Sequence, residues 1–211
     1  PSYFPWKQLA YSHRSHIGHS NIYVQYQTKL NDWPISMTAH NRQAERTRAA
    51  IKSAFAELVF SDRQDDIRMI DVARTANVGR STLYMHYPDK DAILLDNMAP
   101  MLEDLATATQ GEDAYPKIEA VLRHVWSHRD RGRVVLFGTT GRKLENALAS
   151  KVTENLKGQS GPLGLPFLAN PIAAVTFAVL RTWLKGEASG AIPDIARRIC
   201  VSSQALLTAS R

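Results

Sequence analysis

One cysteine, Cys200, occurs in the 211 residues. A lone thiol has no internal partner, so no disulfide framework holds the chain together and nothing calls for an oxidising compartment. A reducing, cytoplasmic setting fits. No apolar run of 18 or more residues is uninterrupted, and the first residues lack the basic-then-apolar order of a signal peptide, so no membrane association is expected. Convincing strand alternation is missing as well, which points to an all-α fold. No nucleophile, base and stabilising group can be assembled from the side chains, and no cofactor motif is present. The chain therefore reads as no enzyme, with no catalytic residues, no cofactor and no metal site.

What is present begins with charge. There are 26 basic and 20 acidic residues, a net of +6, and 44% of residues are hydrophobic, enough for a real core. A basic surplus favours polyanionic partners. It is not concentrated where a nucleic-acid site would be sought, because residues 37–91 carry nine basic and eight acidic side chains, a net of +1. Placement, not total charge, must carry any claim of DNA binding.

Residues 1–40 are rich in Tyr, His, Ser and Gln without sustained periodicity and read as a poorly structured extension. Met37 is the first methionine, and a natural start there is one reading. His13, His16 and His19 recur at intervals of three, but they fall in this extension and are not assigned to a metal. From Gln43 to Phe60, Ile51, Ala54, Phe55, Leu58 and Val59 fall at steps of three and four, the mark of an amphipathic helix. The polar run from Ser61 to Asp66 breaks it. Met69, Val72, Ala73 and Ala76 then give the inner face of a shorter helix. A third follows over about Arg80–His86, with Leu83 and Tyr87 inward, ending before Pro88. A fourth starts near Asp89, whose carboxylate can cap free amides. It carries Leu94, Met98, Met101, Leu102 and Leu105, with a kink expected at Pro100, which has no N–H for the carbonyl of Asp96.

Further helices are expected over Tyr115–Ser127, Thr140–Leu156, Pro171–Gly186 and Pro193–Ala209, with a glycine-rich loop from Lys157 to Gly164. The run Gly138-Thr139-Thr140-Gly141-Arg142-Lys143 is a false phosphate loop, since it lacks the spacing and a preceding strand. Cys200 reads as a structural thiol.

The most specific stretch is Val72 through Tyr84. A helix-turn-helix needs a small residue where two helices nearly touch, a residue that tolerates positive φ in the turn, and apolar residues on either side. Ala73, Asn77, Val78 and Leu83 meet those needs in order. Asn is the natural second choice after Gly for a left-handed position. Gly79 stands where it can begin the third helix with its first amides free for a phosphate.

Ile67 through Ala73, together with Arg80-Ser81-Thr82-Leu83-Tyr84-Met85-His86-Tyr87-Pro88-Asp89-Lys90, resembles the DNA-binding domain of the TetR/AcrR family. The resemblance covers residues 43–95, with Arg68 where a capping Thr or Ser is usual and Asn77 where Gly is more common. It implies an all-α homodimer: an N-terminal three-helix helix-turn-helix domain, residues 41–91, followed by a helical ligand-binding and dimerisation domain, residues 92–211. It also implies a sequence-specific regulator, a repressor released from a pseudo-palindromic operator in double-stranded DNA by a small-molecule effector. An activator, or a non-specific DNA-packaging or adaptor protein without an effector, stays open as the alternative.

On this resemblance Arg80, Ser81, Thr82 and Met85 approach base edges in the major groove, where a guanidinium can pair with guanine and methyl groups can touch thymine. Tyr84, His86 and Lys90 correspond to positions that grip phosphate, with Arg46, Thr47 and Arg48 as further phosphate candidates. Two readings stand beside these: Tyr84 as a core residue, and Arg46 and Arg48 as a solvated face. The helix from Pro171 is apolar nearly all round and, with the last helix, resembles the family's paired dimer helices; a purely internal core helix is the alternative. Trp126, Phe137 and Phe167, with His124 and His128, are the candidate linings of a ligand pocket.

Overall fold

The structure, a computed structural model, describes residues 39–60, 67–158 and 164–209. The expectations for residues 1–38, including Met37 as a start and the three histidines, lie outside the described residues, whereas Ala39 and His40, assigned above to the extension, belong to the first helix. Among the described residues the regular structure is helical throughout. In chain order it comprises α1 (Ala39–Phe60), α2 (Met69–Thr75), α3 (Arg80–His86), α4 (Lys90–Ala106), a 3-10 segment (Thr107–Ala114), α5 (Tyr115–Ser127), α6 (Arg129–Phe137), α7 (Thr139–Asn155), α8 (Pro166–Lys185) and α9 (Ile192–Thr208). The chain divides into two compact units between Asn97 and Met98, a point inside α4.

The first unit is built around Ile51, Phe55, Val72, Ala73, Leu83, Tyr87 and Ile93, each essentially removed from water. Leu58, Val59, Met69, Ala76, Val78 and Leu94 close its edges. Burying a side chain such as Leu83 contributes about 1.5–3 kcal/mol, so these few residues are what makes so small a unit cohere. Asp89 accepts a hydrogen bond from the Ala92 amide at 2.8 Å and so caps α4, as its position before the helix predicts. Ile93, absent from the expected stripe, is fully buried.

In the second unit two elements escape the sequence reading. α6, with three arginines and Gly132 in nine residues, lacks a helical apolar stripe. It buries Leu136 and packs on α5 and α8; a Cβ at Gly132 would meet Leu184 Cδ1 at 3.4 Å and Val125 Cγ1 at 3.9 Å, ordinary contact distances, so this packing does not require a glycine. The 3-10 segment turns at Gly111 (φ 72°), held by the Gln204 side chain, which donates to the Thr109 carbonyl.

α8 starts at Pro166, five residues before the expected start. Pro171 sits inside it. Burial of Leu168 and Ala169 outweighs the hydrogen bond that Pro171 cannot donate. The helix ends at Gly186, in the left-handed conformation favoured at helix stops. By length and composition α8 is apolar enough to cross a membrane, yet half of that window is buried inside the unit, where it packs on α6, α7 and α9. The glycines of the false phosphate loop have a packing role. A Cβ at Gly141 would fall 2.2 Å from the Leu136 carbonyl oxygen, so the α6–α7 corner closes only around a glycine.

Candidate nucleic-acid interface

The turn between α2 and α3 is built as the residue types demand. Asn77 takes φ 53°, the only positive φ of a non-glycine among the described residues. Its amide reaches the Arg74 carbonyl at 3.1 Å, and the Val78 amide reaches that of Ala73 at 3.0 Å, so the end of α2 is satisfied as the chain reverses. Gly79 precedes α3 with ordinary extended dihedrals (φ −63°, ψ 146°), so it is chosen neither for a left-handed turn nor for space.

α3 buries Leu83 alone and delivers Tyr87 to the same core immediately beyond its end. Arg80, Ser81, Tyr84 and Met85 are exposed along the opposite face, the spacing of one helical stripe. Met85 is 78% exposed and Tyr84 44%, which removes the core reading of Tyr84. The Arg80 guanidinium lies 5.9 Å from the Tyr84 ring centroid, one turn away. Thr82 and His86 are half-buried at the edges of this face, and Lys90 is exposed at the start of α4.

The three α1 candidates diverge. Arg46 is exposed. The Thr47 hydroxyl donates to its own helix, to the Gln43 carbonyl at 3.0 Å. Arg48 is half-exposed and is also paired within the protein. It stands 5.7 Å from the Tyr87 ring centroid and donates to Asp96 Oδ2 at 3.4 Å.

Asp96 gathers polar contacts behind α3 that sequence reasoning missed. It accepts from the Tyr87 phenol and Arg48 on Oδ2, while Lys52 Nζ lies 3.5 Å from Oδ1 and donates to the Asp96 main-chain oxygen at 3.1 Å. Asn97 Nδ2 returns a bond to the Lys52 carbonyl at 3.4 Å. Burial alone would raise the carboxyl pKa, but the phenol, Lys52 and Arg48 together hold it below the usual carboxylate value. Burial and the neighbouring carboxylate push the Tyr87 phenol far above its ordinary range. The pair with Tyr87 raises Arg48 further, against the effect of burial. One signal in the sequence pointed here: Pro100 leaves the Asp96 carbonyl without its helical donor. Arg68, standing where a capping Thr or Ser is usual, makes no side-chain cap; with Arg74 it pairs Asp71, at 3.1 and 2.8 Å.

The pocket candidates are all partly exposed. Trp126 stacks on the buried Trp183 at 4.8 Å, with Arg129 over its ring, yet is 41% exposed. Phe137 lies under Lys185 and is 43% exposed, and Phe167 is 68% exposed. None of the three is among the buried residues of the second unit. The rings of His124 and His128 lie 4.6 Å apart at centroids, tilted by 37°, and burial, aided by the His128 charge, lowers the His124 pKa to about 4.

These features define an all-helical protein carrying a helix-turn-helix head. No family model matches the chain. Over 96 residues it is 38% identical to the HTH-type transcriptional repressor LfrR of Mycolicibacterium smegmatis; the match spans 44% of this chain and about half, 49%, of that repressor. The structure is similar to that of Thermus thermophilus FadR, a TetR-family transcriptional repressor solved in complex with lauroyl-CoA. There the TM-score is 0.51 and the identity 20%, over 76% of this chain and 93% of that one. The fold is that of the TetR type.

Proposed function

We propose that the chain is a sequence-specific DNA-binding transcriptional repressor, acting as a homodimer and released from its operator by a small-molecule ligand. The observation that carries this is the division of α3 into a buried edge, Leu83, and an exposed stripe of Arg80, Ser81, Tyr84 and Met85. A short helix exposing a guanidinium, a phenol and a thioether on one face, behind a tight turn, is built to enter a major groove. Arg80, Ser81, Thr82 and Met85 read bases; Gly79, Tyr84, His86, Lys90, Arg46 and Thr47 serve the phosphates. Arg48 acts from within, through Tyr87 and Asp96.

One α3 buries too little surface for a specific site, so two copies on a pseudo-palindrome are required. The second unit supplies a suitable surface. α8 keeps Phe167, Ala174 and Ala178 exposed while its other side forms core, and α9 leaves Val201 and Ala205 exposed. Small side chains allow helices of two copies to pack closely. The same unit is assigned the effector, in a cytoplasmic setting; FadR, similar in fold, was solved with an acyl-CoA.

The test is selection from random duplexes, followed by affinity measurements on the selected and unselected DNA. A repressor selects a two-fold repeated site, and Arg80→Ala then costs about 1–3 kcal/mol on that site and relaxes one base position in each half. Equal affinity of the unaltered protein for selected and random DNA would refute the reading and favour a packaging protein.

A further inference from the structure

We infer that Asp96 is the positioning residue of the reading head, tying the end of α3 to two cations of α1 and so fixing the aim of the recognition helix. This deepens the repressor reading and rests on it.

Tyr87 makes the first half of the tie. It is the residue on which α3 stops, with extended dihedrals (φ −141°, ψ 120°) and its amide on the Leu83 carbonyl. Its ring belongs to the core of the first unit. A phenylalanine would fill that space equally well; what the hydroxyl adds is the bond to Asp96 Oδ2. Core packing alone leaves a short helix free to rock about its buried edge, because apolar contacts are non-directional. A directional bond from the end of that helix to a fixed carboxylate removes this freedom.

Lys52 makes the second half, and Pro100 explains why it is needed. In an uninterrupted helix the carbonyl of Asp96 would accept from the amide four residues on, but that residue is Pro100, which has no N–H. A partly buried carbonyl left without a donor is costly. Lys52 Nζ fills the gap from α1 at 3.1 Å while also facing Oδ1 at 3.5 Å. The Arg48 guanidinium approaches Oδ2 at 3.4 Å from one turn earlier on α1, and Asn97 donates back to the Lys52 carbonyl. Two consecutive residues of α4, Asp96 and Asn97, thus hold both other parties: α1 through Arg48 and Lys52, and α3 through Tyr87. Beyond Asn97 the same helix runs on into the second unit, to Ala106.

The test uses Tyr87→Phe and Lys52→Met, which keep the volume of the side chains and leave no buried charge without its carboxylate. Amide exchange is followed first on the free protein. Residues 83–89 are expected to exchange about tenfold faster in both variants, the effect of losing one charge-assisted hydrogen bond, while residues 172–184 are unchanged. Affinities are then measured on the selected operator and on random duplex. The operator affinity is expected to fall about tenfold, the random-duplex affinity by less than about twofold, with the salt slope unaltered. Unchanged exchange in both variants overturns the inference, and so do equal losses on the two DNAs, which would make Lys52 a plain phosphate contact. If the unaltered protein selects no operator, the repressor reading fails by itself, and the exchange result still decides whether Asp96 holds α3.

Discussion

The two units are cross-linked in different ways. In the first, the long-range polar bonds converge on Asp96 and its neighbour Asn97, which engage Arg48, Lys52 and Tyr87. In the second they are dispersed. Arg133 reaches the Leu184 carbonyl, Arg181 reaches both the Leu136 carbonyl and Glu145, Lys151 pairs with Glu103, and Gln204 holds the Thr109 carbonyl. At the α6–α7 corner Gly141 lets the chain close where a Cβ would strike the Leu136 carbonyl. A hub concentrates control in one side chain and suits a part that must be aimed; a dispersed network suits a scaffold that must keep its shape.

The largest expected effect tests the independence of the two cores. Leu83→Ala removes the one buried residue of α3 and should cost about 2–5 kcal/mol, seen in urea denaturation, with exchange accelerating in residues 51–93 and not in 172–184. Uniform acceleration would show that the two units unfold as one.

Acid separates the units further. His124 has its pKa depressed to about 4 in the folded protein, so the unfolded chain binds more protons between that value and the ordinary 6.5. Stability that the second unit holds at neutral pH should therefore drain away as pH falls through this window, by on the order of 3 kcal/mol in all. Asp96 acts lower. Its folded pKa is depressed below 3.8, so its contribution is present above that value and is lost as pH falls further toward the folded one. Melting measured from pH 7 to 3, with His124→Gln, should show the first loss flattened and the second intact. Persistence of the loss between pH 6.5 and 4 in that variant would remove His124 as its cause.

The smallest effect sharpens the account of the turn. Asn77→Gly should change stability by no more than about 0.5 kcal/mol, since glycine accepts positive φ freely, whereas Asn77→Val should cost about 1–2 kcal/mol. A thermal melt of both variants separates backbone strain from any role of the amide side chain.

Much of the first unit was legible because its signals are local. Helical spacing named Ile51, Phe55, Val72 and Leu83, and Asn77 betrayed the left-handed turn. The α3 boundaries follow from Gly79 before it and Pro88 after it. The pairing of Arg48 was not legible because the same residue type serves a phosphate, a solvated face or a carboxylate, and its partner lies 48 residues away. Trp126, Phe137 and Phe167 were chosen as aromatics among helices, and their partial exposure was not legible, since residue type carries no information on which side of a helix meets the core. α6 was missed because it buries Leu136 and is supported by α8, a helix distant in sequence, which leaves no trace in local periodicity.

By itself, then, the sequence determined the all-helical class, the helix-turn-helix and the stripe headed by Arg80, since propensity, spacing and one positive φ are properties of neighbouring residues. Only the tertiary structure decided that Asp96 gathers Arg48, Lys52 and Tyr87, that α6 exists, and that α8 continues through Pro171. Those outcomes depend on long-range burial and on charges meeting across the fold, which outweigh what each segment prefers alone.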